Sequence, residues 1–281
     1  NAVALGVVVI VLFLIIPLPT FLLDFLLIVN IGLAIMILMI TMNISEALEF
    51  SIFPSLLLVT TLFRLGLNVS STRMILRDGY AGEVIQNFGQ LITGGNIVIG
   101  VVIFLIIVLV QFIVITKGAE RVAEVAARFT LDAMPGKQMA IDADLSSGLI
   151  NEQEARARRQ KIQKEADFYG AMDGATKIVK GDAVMSIVIT LINFVGGVII
   201  GMVMGGGDFA TVLQTYSIVT IGDGLVSQLP ALMISTATGM IVTRSVSDGS
   251  LNTDVISQFK AQPRAIMATG MILLMLGLFP G

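Results

Sequence analysis

The stretch that decides the fold is KIVKGDAVMSIVITLINFVGGVIIGMVM, residues 177–204. It opens with Lys177, Lys180 and Asp182, and then no charged residue occurs from Ala183 to Gly206. A helix needs about 20 apolar residues to cross a bilayer core. In lipid every backbone polar group must be satisfied within the segment, which selects a helix. Residues 183–206 therefore read as a membrane span entered from a polar segment.

Working outward, the polar side is dense in charge. Residues 117–182 hold 22 of the 37 charges, eleven of each sign. The other 215 residues carry fifteen. Over all 281 residues, 56% are hydrophobic and 13% charged, against about 25% charged in a soluble domain. That leaves too little polar surface to coat a soluble globule. The chain has no His, Cys or Trp. His acid–base chemistry, Ser-His-Asp triads, Cys nucleophiles, disulfides and His/Cys zinc sites are excluded. A net charge of −3 offers no basic face to nucleic acid. The composition points to neither an enzyme nor a metal protein.

The fold class expected is all-α, a polytopic helical membrane protein with a helical cytoplasmic insertion. Seven candidate spans emerge: 2–18, 21–42, 53–76, 92–116, 183–206, 212–243 and 263–281. The first is short and stops at Pro17 and Pro19. A signal peptide is the alternative there, but no basic stretch precedes it and no A-x-A site follows. The chain divides into a first membrane bundle (1–116), the insertion (117–182) and a second bundle (183–281). Eleven Lys and Arg in the insertion place it in the cytoplasm by the positive-inside rule, and counting back places the N-terminus there too. The 43–52 connection disagrees, with Glu46, Glu49 and no base. Either the rule is weak there or 53–90 is not a simple span.

Within the insertion, NEQEARARRQKIQKEADFYGAM from Asn151 reads as a helix. Asn151 and Glu154 make a capping-box-like start, and Glu152–Arg156 and Glu154–Arg158 are favourable i,i+4 pairs. The upstream RVAEVAARFTLDAMPGKQ is helical and expected to end at Pro135-Gly136. DADLSSG (142–148) resembles a Ca²⁺ loop but has Ser147 and Gln153 where such loops need Gly and Glu, so it reads as a turn between helices. GATKIVKGD (174–182) lacks phosphate-loop spacing.

The polar residues at membrane depth are the candidate chemistry. Asp182 stands at the start of a span, where a carboxylate is favoured by the helix dipole and can act as a cap. Lys177 is its nearest candidate partner, unless it only anchors at the interface. Asp223 lies inside an apolar run, flanked by Gly222 and Gly224, with Pro230 beyond. An ionised carboxylate there costs about 2.5–3.5 kcal/mol on insertion scales unless it is protonated, paired or hydrated. The flanking glycines suggest that the backbone opens locally toward a cavity. Arg64 and Arg73 in FRLGLNVSSTR fall on opposite faces of a helix. Arg keeps its proton, so each needs an anionic or carbonyl partner, unless it snorkels to the interface. Gly197, Gly201 and Gly205 form a small-xxx-small packing stripe. Three functions compete: an ion-coupled transporter or export machine, an intramembrane aspartyl protease, and a plain membrane anchor. The protease motif G-x-G-D lacks its first Gly, since Thr220 stands there.

FRLGLNVSSTR (63–73), ARFTLDAMPGKQMAIDADLSSGLI (127–150), EADFYGAMDGATKIVKGDA (165–183) and IGDGLVSQLPALMISTATGMIVTR (221–244) together resemble the FHIPEP family. These are the large export-gate proteins of bacterial flagella and of virulence-type type III secretion. DAMPGKQMAIDADL is more similar to flagellar members. The resemblance implies an inner (plasma) membrane protein of eight spans followed by a large cytoplasmic domain. It implies a ring, commonly nonameric, and export of unfolded flagellar subunits driven by proton or Na⁺ motive force. Partners implied are other export-gate membrane proteins, the basal-body ring, and exported subunits with their chaperones, which dock on the cytoplasmic domain. No cofactor beyond the coupling ion is implied. Ending after the seventh candidate span, the chain looks like a membrane-domain fragment of such a protein. Charged residues of these motifs are implicated in energy coupling in the family. The matching positions are Arg73, Arg121, Arg128, Asp132, Lys177, Asp182 and Asp223, with Arg64 and Asp173 in the same motifs. Without His, protons have to be carried by carboxylates, which concentrates attention on Asp182 and Asp223.

Overall fold

A computed structural model describes residues 2–110, 113, 117–204, 208–246 and 251–278. Among them there are helices and no strands. The order is α1 (Ala2–Ile15), α2 (Thr20–Asn43), a 3-10 turn (Ala47–Phe50), α3 (Phe53–Asp78), α4 (Glu83–Thr93) and α5 (Ile97–Val110). Then follow α6 (Lys117–Ser146), α7 (Glu152–Met204), α8 (Phe209–Val242), a 3-10 turn (Thr243–Val246), α9 (Leu251–Lys260) and α10 (Pro263–Leu278).

Among the described residues, four helices are long and apolar enough to cross a membrane: α2, α3, the apolar part of α7, and α8. The α4–α5 pair makes a fifth candidate, bent by 102°. Continuous passage through 92–110 is therefore corrected. Gly94 and Gly95 take positive φ (51° and 83°), and Asn96 starts α5 by accepting the Val98 and Ile99 N–H groups. Glycine adopts that left-handed backbone without a Cβ penalty. Residues 111–112, 114–116, 205–206 and 279–281 of the expected spans lie outside the described residues. The first and last spans appear as short apolar helices, α1 of 14 residues and α10 of 16.

The polar insertion is a hairpin of α6 against the first part of α7. Asn151 and Glu154 exchange both capping-box bonds (2.8 and 3.2 Å), and Glu152 pairs with Arg156 at 2.8 Å. The expected Glu154–Arg158 pair does not form. Glu154 is engaged in the cap, and Arg158 turns to Asp144 at 3.1 Å. Arg159 bonds Asp142, so both acids of the rejected Ca²⁺ loop tie the two helices together. Two helix boundaries are corrected. Pro135 does not end α6, which runs on to Ser146. The carbonyl it leaves without an i+4 donor belongs to Leu131, an exposed residue. Nor does a helix begin near Asp182, because α7 runs unbroken through 53 residues.

Of four buried apolar clusters among the described residues, the two largest form the core. One joins Ile37, Phe53, Met172, Val179 and Ile241 with Ala123 and Ala127 of α6. It roots the hairpin on the bundle. The other joins Leu23, Leu67, Ile75, Ile85, Val219 and Val226. The two smaller clusters sit within the α6–α7 hairpin and where Phe104 of α5 meets Ile221 and Leu225 of α8. Outside these, Phe21, Phe25, Val98, Ile199, Val203 and Leu274 are exposed. Such an apolar exterior is what a lipid-facing surface requires.

Candidate functional site

The site is a polar seam where α3, α7 and α8 meet. On α3, Arg64, Asn68 and Ser71 recur at i, i+4 and i+7, which is one helix face. On α7, Asp182 and Asn193 are eleven residues apart, about three turns and about 16 Å along one face. On α8, Asp223 and Ser227 are one turn apart, with Gln228 next to Ser227. All eight side chains belong to buried residues.

At one end Arg64 donates to Asp182, in a buried pair each member of which is about 3% exposed. In the middle the Ser227 hydroxyl donates to Asn68 Oδ1 (2.6 Å) and to the Asp223 carbonyl (2.8 Å). At the other end Asn193 donates to the Asp223 carboxylate at 2.9 Å. The two acids thus carry separate partners, Arg64 for Asp182 and Asn193 for Asp223, while Ser227 ties Asn68 to the Asp223 backbone. A buried ion pair of this kind is strongly conditional. Taking away either charge strands the other in a low dielectric, at about 3–5 kcal/mol.

The helices reach this spacing through glycine. A Cβ on Gly222 would run into the Ile85 carbonyl of α4, and one on Gly89 into the Ile218 carbonyl of α8. Gly224 takes the Phe104 ring of α5. These glycines therefore let α4 and α5 approach, and α8 stays helical from Phe209 to Val242 through both Gly224 and Pro230. The expected local opening at Asp223 is corrected. Gly197 and Gly201 pack on Tyr216, within the chain. Gly205 lies outside the described residues.

Comparison with known proteins fits this architecture. A model of the FHIPEP family matches residues 10–281.

The chain belongs to the FHIPEP family.

It is 56% identical over 278 residues to the flagellar biosynthesis protein FlhA of Bacillus subtilis, covering 99% of this chain and 41% of that protein. It is 54% identical over 269 residues to the low calcium response locus protein D of Yersinia pestis, 95% of this chain and 38% of that one. It is 51% identical over 272 residues to FlhA of Salmonella typhimurium, 95% of this chain and 39% of that one. The chain thus spans about two fifths of the length of these relatives. No solved structure matches it.

The FHIPEP motif residues divide into separate places. Asp182, Asp223 and Arg64 share the seam. Arg73 caps α1 by donating to the Leu14 and Ile15 carbonyls at 3.0 and 2.9 Å, so both arginines have the partners their permanent charge demands. Arg121 and Arg128 both pair with Glu124 on the exposed side of α6, and Asp132 is exposed there too. Lys177 pairs with Asp173 at 2.7 Å, a full turn back along α7. The expected Lys177–Asp182 pair is corrected: five residues put the two on different sides of α7, and Arg64 takes Asp182 instead. The Asp173 carboxylate raises the Lys177 ammonium above the usual lysine range, through their hydrogen bond first and their charges second.

Other polar residues escaped the sequence reading. Asn193 and Gln228 complete the seam; each is a lone amide in an apolar run, and that was the available signal. Asp24 accepts the Glu83 and Val84 N–H groups (2.9 and 3.1 Å), capping α4 from another helix. Arg244 donates to the Met42 carbonyl at 3.1 Å, capping the end of α2. Caps supplied from distant sequence leave no local pattern.

Proposed function

We propose that this chain is the membrane part of a flagellar type III export gate, coupling proton (or sodium) motive force to export of unfolded subunits. It works as a gate and not as an enzyme. The Arg64–Asp182 pair carries the reading. Arg64 stays charged under all physiological conditions. Neutralising Asp182 removes its counter-charge in a buried site, so the α3–α7 contact must rearrange. Asp182 lies on the same unbroken helix as the hairpin, so that rearrangement is passed along α7. Asp223 serves as a second relay acid at the other end of the seam. A protease dyad shares one proton between two carboxylates; the separate partners of Asp182 and Asp223 speak against that alternative.

In this reading the protein sits in the bacterial inner membrane. Its N-terminus and residues 117–182 face the cytoplasm, between the bundles 1–116 and 183–281. It assembles with itself as a ring, with other export-gate proteins and with the basal-body ring. The relatives' further length supplies the domain that meets subunits and chaperones. The deciding experiment replaces Asp182 with Asn in the full-length protein and measures subunit export. Export is expected to be abolished at normal protein levels; near-normal export overturns the reading.

A virulence-type gate is the second reading. The 54% identity to the Yersinia low calcium response protein, which falls between the 56% to Bacillus FlhA and the 51% to Salmonella FlhA, keeps it in play. Complementation separates the two. Restored swimming in a strain lacking FlhA supports the flagellar form. Rescue only in a strain lacking the Yersinia protein supports the other.

A further inference from the structure

Beside the Arg64–Asp182 pair lies a cavity of about 20 Å³, bounded by Arg64, Asp182, Ala183, Ser186, Ser227 and Gln228. Three buried atoms of its lining residues have no hydrogen-bond partner among the described residues: Arg64 Nη1, Asp182 Oδ1 and Gln228 Oε1. They come from α3, α7 and α8, and their residues are 3%, 4% and 7% exposed. Leaving three such buried atoms unpaired is costly, most of all for the two charged groups.

In donor and acceptor count the three atoms match what one water molecule can satisfy. A water has two O–H donors and two lone pairs; the lining residues bring two unpaired acceptors and one unpaired N–H donor. A volume above about 10–15 Å³ with two to four polar partners is what a buried water needs. A sodium ion would have the two oxygens but would face the guanidinium at contact range, where like charges repel strongly in a low dielectric. The charged groups facing this point are Arg64 from α3 and Asp182 from α7. At the cavity α8 supplies Ser227 and Gln228, and α5 supplies apolar Val108.

We infer that this cavity is a water site, with Gln228 as the residue that positions the water against Asp182. The inference rests on the proton-coupled reading above and deepens it, since the water is the immediate proton donor. A proton arriving on it passes to Asp182 Oδ1, giving a neutral carboxylic acid and a neutral water, while Arg64 keeps its charge. The coupling ion at Asp182 is then H⁺ and not Na⁺.

The test is pH-jump difference infrared spectroscopy on membranes holding the full-length protein. Wild type should show a water O–H band that shifts in H₂¹⁸O and changes together with the Asp182 carboxyl band. Gln228→Leu, which deletes the acceptor, and Ala183→Leu, which fills the cavity, should each lose the water band while Arg64 and Asp182 remain. Replacing Na⁺ by K⁺ should leave the spectrum unchanged. No ¹⁸O-sensitive band in wild type, a band that survives both variants, or a Na⁺-dependent carboxyl change each overturns the inference. The wild-type measurement stands even where a variant fails to fold. Loss of export in Asp182→Asn without a water band would sink this site alone; normal export in that variant would sink the coupling reading itself.

Discussion

At the scale of residues, the seam separates stability from function. Arg64→Leu strands the Asp182 carboxylate and should cost about 3–5 kcal/mol, read as a lower melting temperature of the purified membrane protein. The double variant Arg64→Leu, Asp182→Leu removes both charges and should recover most of that stability, because apolar replacements of buried pairs are often neutral or better. Export should stay abolished in the double variant. Recovery of export along with stability would show that the pair only holds the helices together. The same residues show what the sequence could reveal. A carboxylate or guanidinium in an apolar run is conspicuous, so Arg64, Asp182 and Asp223 were legible one by one. Which arginine meets which acid was not. That depends on the rotation of α3 against α7, and Lys177, near in sequence, turned out to belong to Asp173.

At the scale of elements, α4 and α8 cross through their backbones. Gly222→Ala aims a methyl group at the Ile85 carbonyl, and main chain has nowhere to give. A loss of about 1–3 kcal/mol or more is expected. Gly239, in the same helix, has nothing near its Cβ position, so Gly239→Ala should be neutral or stabilise by about 0.5–1 kcal/mol. Equal thermal stability of the two variants would contradict the close crossing. Gly197→Leu should likewise disturb α7 against Tyr216 within one chain, before any contact between copies. The hairpin's hold on the 3-10 turn is electrostatic in part, through Lys161 and Glu46 at 3.0 Å. The Glu46 carboxylate raises the Lys161 ammonium above its ordinary value, by hydrogen bond first and charge second. A raised lysine stabilises the fold fully below its unfolded pKa, and the contribution is lost as pH climbs through the folded value. Hydrogen exchange in residues 44–50 should therefore be level across neutral pH, after correction for intrinsic rates, and rise only under strongly alkaline conditions. Protection that falls between pH 6 and 8 would assign the contact to another group.

At the scale of the whole molecule, the sequence was most readable where one physical term dominates. Long apolar runs placed α2, α3 and α8 within a few residues, because burying a backbone in lipid permits only a helix. It was least readable where the chain passes from water to lipid without a break. The change of composition at 182–183 looks like a domain boundary, yet α7 continues through it without a break, 53 residues or about 80 Å of helix in all. Helical propensity does not register the solvent on either side. This continuity yields the last prediction. An unbroken helix longer than a bilayer is thick, with its apolar half long enough to span, is expected to place its two ends on opposite sides of the membrane. Ser147, in the hairpin turn just before α7, and Asp208, just past its far end, are both exposed. The chain has no cysteine, so single cysteines at these positions report without interference. Ser147→Cys should react with an impermeant maleimide only when the cytoplasmic face is open to the reagent. Asp208→Cys should react only from the opposite face. Labelling of both from one side would mean that the apolar half of α7 does not cross, and that α7 cannot carry a movement at Asp182 from the bilayer to the hairpin.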